Sequence, residues 1–452
     1  MIDPALLDQA LDTHLSSHIE RQRWSGAPDG GITEATPAWT ELVSDDPLLA
    51  WMVVDATLAT GAQQRYQLFI GGRPAHPWPD YLEGKDRELL AVVPDGEGDE
   101  VVFYDALIDP DLAIAVLHLV SPDSEVEVRR PIVLEHSNSS VVFDERTILK
   151  VLRKVEAGPN PDVEIPRELA ERGFEHVLPP IAELRREGMD LAVLRDFLVG
   201  ATEGWQLARA SVRDVLASRL APEESGGDLA AESARLGSVI AELHLAMGDA
   251  FGCERGEPAV WVDGMLEALA EVAEAAKDLP FDADAVRARL EDARKVEDAG
   301  ADMFIHGDLH LAQVIQVDAD WLVLDFEGEP ARRRDDRFTR SSPLRDVAGM
   351  LRSYHYAAAT GLAEWDLGDA ELLALLDAWE ERNRDAFLTA YFAEDGIDAV
   401  LPVDPAGRDA LLTAFELDKA VYELGYELGH RPELVSIPLA GIERLVRGPV
   451  PT

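Results

Sequence analysis

Between residues 131 and 200 the chain changes texture, and that change limits the folds open to it. Ile132–Glu135, Ser140–Phe143 and Ile148–Leu152 are short apolar runs, joined by the turn-like segments His136–Ser139 and Asp144–Thr147. Loops of that length join antiparallel neighbours, so the spacing predicts a meander. Asn160 then stands as an N-cap before Pro161, with Asp162 and Glu164 in the first turn of a helix. Leu191–Phe197 reads as a further strand ending at Gly200. Beyond it the apolar spacing turns helical: Ala201–Leu216, Leu229–Met247, Trp261–Lys277, Ala285–Ala299 and Leu411–Leu428, with one β interlude at Val314–Phe326. The expected fold is α+β and bilobal, with a small antiparallel-sheet N-lobe and a larger helical C-lobe.

Upstream of the meander the pattern predicts an α+β cap. Ala5–Ile19 carries a helical stripe, Leu48–Thr57 and Gln64–Ile70 run as strands do, and prolines break periodicity within Gly72–Glu83. Asp109 with Pro110 opens a helix to Leu119. The expected divisions are a cap over 1–90, an intermediate subdomain over 91–130, the N-lobe over 131–200 and the C-lobe over 201–452.

Composition excludes several partners. Forty-one basic against 87 acidic residues give a net charge of −46. Nucleic acid needs clustered cations to release counterions, and anionic membrane surfaces need them too, so neither is an expected partner. The single cysteine, Cys253, excludes an internal disulfide. The acidic N-terminus lacks a signal-peptide pattern, and the longest apolar runs are too short to span a bilayer. The expectation is a cytoplasmic protein that must hold any anionic ligand by local means.

The chemistry concentrates in Ile305-His306-Gly307-Asp308-Leu309-His310-Leu311-Ala312-Gln313 and Val323-Leu324-Asp325-Phe326-Glu327. Phosphoryl transfer needs one carboxylate to orient the acceptor hydroxyl and take its proton, a role that suits Asp308. It also needs oxygen donors to hold Mg²⁺ on the phosphates of ATP, which Gln313 and Asp325 can supply. A loop between two strands would fix their separation. No P-loop signature and no glycine-rich kinase loop is present in the sequence.

These segments resemble the kinase-like small-molecule phosphotransferases, a group that includes aminoglycoside phosphotransferases and choline kinases. Within it, the string from His306 to Val314, the run Asp325–Pro330 and the run Ser342–Ser353 resemble the actinobacterial maltokinases. So do Arg23-Trp24, Ser137–Val141, Gly158–Glu164 and Glu416–Glu427, in the same order over nearly the whole chain. The resemblance implies a protein-kinase-like fold with an N-terminal cap, ATP and Mg²⁺ as cofactors, and transfer to maltose. The product would be maltose 1-phosphate for α-glucan synthesis. Gln313 stands where most of the wider group has Asn.

By the same resemblance Lys150, one of six lysines, is expected on the nucleotide phosphates, with Glu164 favoured over Glu168 as the carboxylate that positions it. Ser137, Asn138, Ser139 and Ser140 form either a plain hairpin turn or a phosphate-binding one. Backbone groups of Arg195–Phe197 would face adenine. His306 is expected to hold the loop through backbone hydrogen bonds, with Arg345 and Asp346 beside it, Asp346 as an N-cap or as an anchor of the loop. On Leu411–Leu428 the face with Glu416, Lys419, Tyr422, Glu423 and Tyr426 is either solvated or a sugar platform. Arg431, Tyr354 and Tyr356 are further sugar-contact candidates, and His310 and Glu327, which flank the active loops, are candidates to touch sugar or metal. Two alternatives to maltose stand: a kinase for an amino sugar or aminoglycoside, and a catalytically inactive carbohydrate-binding kinase fold.

Overall fold

A computed structural model describes residues 2–26, 31–126, 132–135 (backbone only), 138–328, 340–361 and 369–448. The chain forms two compact units, one of residues 1–164 and 179–199, the other of residues 165–178 and 200–452.

The first unit is built on two antiparallel sheets. One contains β1 (Ile32–Asp45), β2 (Leu48–Leu58), β3 (Gln63–Pro74), β4 (Leu89–Pro94) and β5 (Glu100–Asp105), in the order β1-β2-β3-β5-β4. Successive side chains of a strand face opposite sides, and β2 is buried on both. Its Leu48, Ala50, Met52 and Val54 pack on Leu7, Leu11 and Leu15 of the helix Pro4–Arg21. Its Leu49, Trp51 and Val53 face a second core with the helix Pro110–Val120 and the second sheet. That double burial explains why β2 reads as a continuous apolar run. β1 is mostly exposed, so it carries no burial period and the sequence showed no strand there.

The second sheet contains β6 (Ile132–Glu135), β7 (Ser139–Phe143), β8 (Thr147–Val151), β9 (Ala182–Arg186) and β10 (Met189–Asp196), in the order β6-β7-β8-β10-β9. The meander is as expected. The boundaries at 90 and 130 are not: residue 90 lies inside β4, and one core joins Trp51 and Phe69 to Val141, Leu149 and Leu191. Buried Gln67 fastens the two sheets. Its amide donates to the carbonyls of Leu152 (3.1 Å) and Leu191 (2.9 Å) and accepts from Trp51 Nε1 (2.9 Å). An unpaired buried amide would cost a few kcal/mol, so these bonds fix the register of one sheet on the other.

The second unit is mainly helical. Gly204–Ser218, Ala230–Phe251, Pro258–Ala275, Ala283–Ala293, Leu344–Gly361, Ala370–Ala393, Pro405–His430 and Ser436–Arg447 enclose one apolar core. Leu344–Gly361 is the central helix, with Leu344, Val347, Met350, Leu351, Tyr354 and Ala358 buried. A small sheet of β11 (Thr202–Glu203), β14 (Val314–Val317) and β15 (Asp320–Val323) carries the β interlude, and β12 (Cys253–Arg255) pairs with β13 (Ala301–Met303). Among the described residues, no helix is long and apolar enough to cross a membrane.

Candidate active site

The loop from β13 to β14 is held from beneath by Asp346. This carboxylate is buried in the first turn of Leu344–Gly361, so it does not serve as that helix's N-cap. It accepts the backbone N–H groups of His306 (2.8 Å) and Gly307 (2.9 Å), and His244 Nε2 lies 3.2 Å away. Burial pushes the Asp346 carboxyl up, but His244 and the loop donors outweigh it and hold it below the usual range. His306 behaves as expected, with Nε2 bonded to the Leu324 carbonyl at 2.7 Å. Gly307 adopts φ +84°, a conformation that favours glycine. Gly349 admits the loop against the central helix, since a Cβ there would lie 2.5 Å from the Leu309 carbonyl oxygen.

Asp308 projects from this loop with its side chain 13% exposed, and Lys419 Nζ donates to its Oδ1 at 3.1 Å. His310 Nε2 is 3.8 Å from Oδ2. Burial lowers the His310 imidazole, Asp308 opposes this and Lys419 adds to it; Nδ1 accepts from the Ala312 N–H, as a neutral ring does. Asp308 and Lys419 line one small cleft together with Arg345, Asp418 and Tyr422.

Gln313 ends a short 3₁₀ turn, and its carbonyl accepts from Leu324 N at 2.9 Å. With Val314 opposite Val323, this places Gln313 and Asp325 at neighbouring ends of one hairpin. Asp325 is exposed at φ +61°. An amide oxygen and a carboxylate are the hard donors that Mg²⁺ takes. Glu327 follows, half-buried; Glu329 and Pro330 lie outside the described residues.

In the first unit, Lys150 on β8 stands between Ser140 on β7 and Val193 on β10. Its ammonium pairs with Asp162 at 2.9 Å, which corrects the expected Glu164. At 100° per residue Glu164 lies about 200° around the helix from Asp162, on the other side. Arg195 also donates to Asp162, at 3.1 Å. Ser137 lies outside the described residues. Asn138 and Ser139 are buried and turned inward: Asn138 Oδ1 accepts from Arg153 N (3.1 Å) and Ser139 Oγ from Arg153 Nε (2.8 Å). That corrects their expected phosphate role and leaves half-buried Ser140, directly opposite Lys150. Phe197 N donates to the Arg146 carbonyl, so this group is committed within the unit.

The sugar candidates divide. Lys419 and Tyr422 reach the cleft with Asp308, with Lys419 Nζ 4.9 Å from the Tyr422 ring centroid. Glu416 does not: it is buried and paired with Arg384 at 2.9 Å. Glu423 pairs with buried Arg352 at 2.6 Å, and Arg431 with Glu427 at 2.6 Å. The Tyr356 hydroxyl donates to Glu427 at 3.2 Å. Tyr354 is fully buried core beside Trp379 and Phe387, which corrects its expected sugar contact. Asp418, Asp162 and Arg195 were missed as side chains. For Asp418 the available signal was its position four residues before Tyr422, on the same helix face.

The fold is α+β, and its second unit carries an aspartate in a loop and an amide and a carboxylate flanking a hairpin, the kinds of group that phosphoryl transfer uses. No protein-family profile matches the chain. It is 30% identical over 348 residues to a glucosamine kinase of Streptacidiphilus jiangxiensis, covering 73% of this chain and 76% of that one. A glucosamine kinase of Mycolicibacterium smegmatis is 28% identical over 335 residues, covering 70% and 79%. A solved glucosamine kinase in complex with glucosamine, ADP and inorganic phosphate shares the fold with a TM-score of 0.64 at 20% identity, over 95% of this chain and 98% of the other. The chain belongs to the glucosamine kinase family.

Proposed function

We propose that this protein uses ATP and Mg²⁺ to phosphorylate a hydroxyl of an amino sugar, with glucosamine as the first acceptor. Asp308 accepts the hydroxyl proton as the bond from oxygen to the γ-phosphorus forms and the bond to the bridging oxygen of ADP breaks. Gln313 and Asp325 would hold Mg²⁺, which supplies neutralisation of phosphate charge. Lys150 would meet the phosphates as a point cation on a chain of charge −46.

The observation that carries the amino-sugar reading is Asp418 in one cleft with Asp308, in a chain of this family. Because it lines the cleft that holds Asp308, Asp418 is our candidate to face the acceptor ammonium, with Tyr422 of the same cleft against the apolar ring face. Maltose is the second reading, because Lys419 offsets the charge of Asp308 and a neutral sugar suits such a wall. The relatives favour the amino sugar.

ADP release measured with glucosamine, maltose, glucose and kanamycin separates these readings. Turnover highest with glucosamine is the expected result. A preference for maltose would restore the second reading. No turnover with any acceptor would return the chain to the inactive carbohydrate-binding alternative.

A further inference from the structure

The geometry points to Arg195 as a positioning residue that keeps the Asp162 carboxylate paired, so that Lys150 can turn to a nucleotide phosphate. This rests on the proposed role of Lys150 in meeting phosphate. Three charged side chains converge here within one unit. Lys150 Nζ and Arg195 Nη1 both bind the same oxygen, Asp162 Oδ2, at 2.9 and 3.1 Å. Arg195 Nη2 also donates to the Asp162 backbone carbonyl. The convergence follows from register. Val193 is opposite Lys150 and Arg195 is opposite Ile148, so the period of two puts Arg195 and Lys150 on one face of the sheet. Asn160 caps the adjoining helix by accepting from Asp162 N, which fixes Asp162 in the first turn above that face.

The Asp162 side chain is only 2% exposed. A buried carboxylate stripped of its cation costs several kcal/mol. If Lys150 were its only partner, a phosphate could recruit the lysine only at that cost. Arg195 removes the difficulty, because its planar fork holds the carboxylate and the carbonyl together. Burial pushes the Asp162 carboxyl up, yet the charges of Arg195 and then Lys150 bring it down to about 2. Two cations meet on one carboxylate, so one of them can turn to a phosphate while the other stays. Glu164, expected from the sequence to do this work, has no part in it.

The test is the affinity of the full-length protein for MgADP, by titration calorimetry, in the parent, R195Q, R195K, D162N and D162N/R195Q. R195Q is expected to bind about tenfold more weakly, because ADP must then draw Lys150 away from a buried carboxylate that Arg195 no longer holds. R195K, which keeps the charge and loses the fork, is expected between the two, and it carries the test if R195Q does not fold. In the D162N background, removing Arg195 is expected to change affinity by less than about threefold, since a neutral side chain at 162 no longer needs a cation when the lysine turns away. Parent-like ADP affinity in both R195Q and R195K would overturn the proposal. So would an equal loss with and without Asp162, which would make Arg195 a direct nucleotide contact. A parent protein that binds no nucleotide would instead overturn the reading of Lys150 and of the function.

Discussion

Lys419 Nζ lies 3.1 Å from Asp308 Oδ1 across 111 residues of sequence, and both side chains are largely buried. The lysine comes from the helix Pro405–His430, while the aspartate comes from the loop after β13. In the proposed mechanism, holding one carboxylate oxygen leaves the other for the acceptor hydroxyl. A loose phosphoryl-transfer transition state asks for position more than for base strength.

Lys419→Met is therefore expected to lower kcat by about ten- to a hundredfold while leaving KM for ATP within about twofold. Lys419→Arg should recover part of the loss. Asp308→Asn should cost about 10³-fold or more in kcat, because no group then takes the proton. Steady-state kinetics check all three, and an Asp308→Asn variant with undiminished turnover would remove Asp308 from the chemistry.

Gly349→Ala tests how closely the loop rides on the central helix. The added methyl would meet the Leu309 carbonyl at 2.5 Å, and backbone cannot swing aside as a side chain can. The expected cost is about 1–3 kcal/mol of stability from overpacking. The expected fall in kcat is about a hundredfold, from displacement of Asp308 next door. Urea unfolding and turnover measured on the same preparation check it; full activity would show that the loop has slack.

Arg352 is fully buried between Glu423 and Gly441, where an added Cβ would clash with its Nη1. Arg352→Met leaves Glu423 half-buried without its cation, and about 3–5 kcal/mol of stability should be lost. Replacing Glu423 as well, by Gln, should return much of that loss. A double-mutant cycle by urea unfolding checks this, and additive losses would show that the two charges are not coupled.

His18 predicts a pH dependence of stability. Its ring is fully buried against the Leu89 carbonyl, and burial lowers it from an ordinary 6.5 to about 4; Asp105 opposes this, and Arg21 and Arg153 add to it. The unfolded chain therefore takes up this proton first as pH falls. The stability supplied by the neutral ring is complete above pH 6.5 and is lost as pH falls towards 4, up to about 3 kcal/mol. His18→Gln should flatten the unfolding free energy between pH 6.5 and 5, where few carboxylates titrate. An unchanged slope in that variant would assign the loss to other groups.

The sequence alone determined what is local. Asp308 lies in the loop before β14, and Gln313 and Asp325 flank the β14–β15 hairpin, so their order and the hairpin that brings Gln313 beside Asp325 could be read from spacing. The meander, its helix and the caps at Asp109 and Asn160 were legible for the same reason: each is set by neighbours a few residues away. The tertiary structure decided which charges meet. Helical spacing identified Glu416, Lys419 and Glu423 as one face, but only packing shows Arg384 and Arg352 taking the two acids and Asp308 taking the lysine. It likewise chose Asp162 over Glu164 and merged the expected cap with the sheet beyond it through Gln67. The period of a pattern encodes which side of an element is buried; it does not encode what the opposing element carries, and in a low-dielectric interior that opposing charge decides the role of each group.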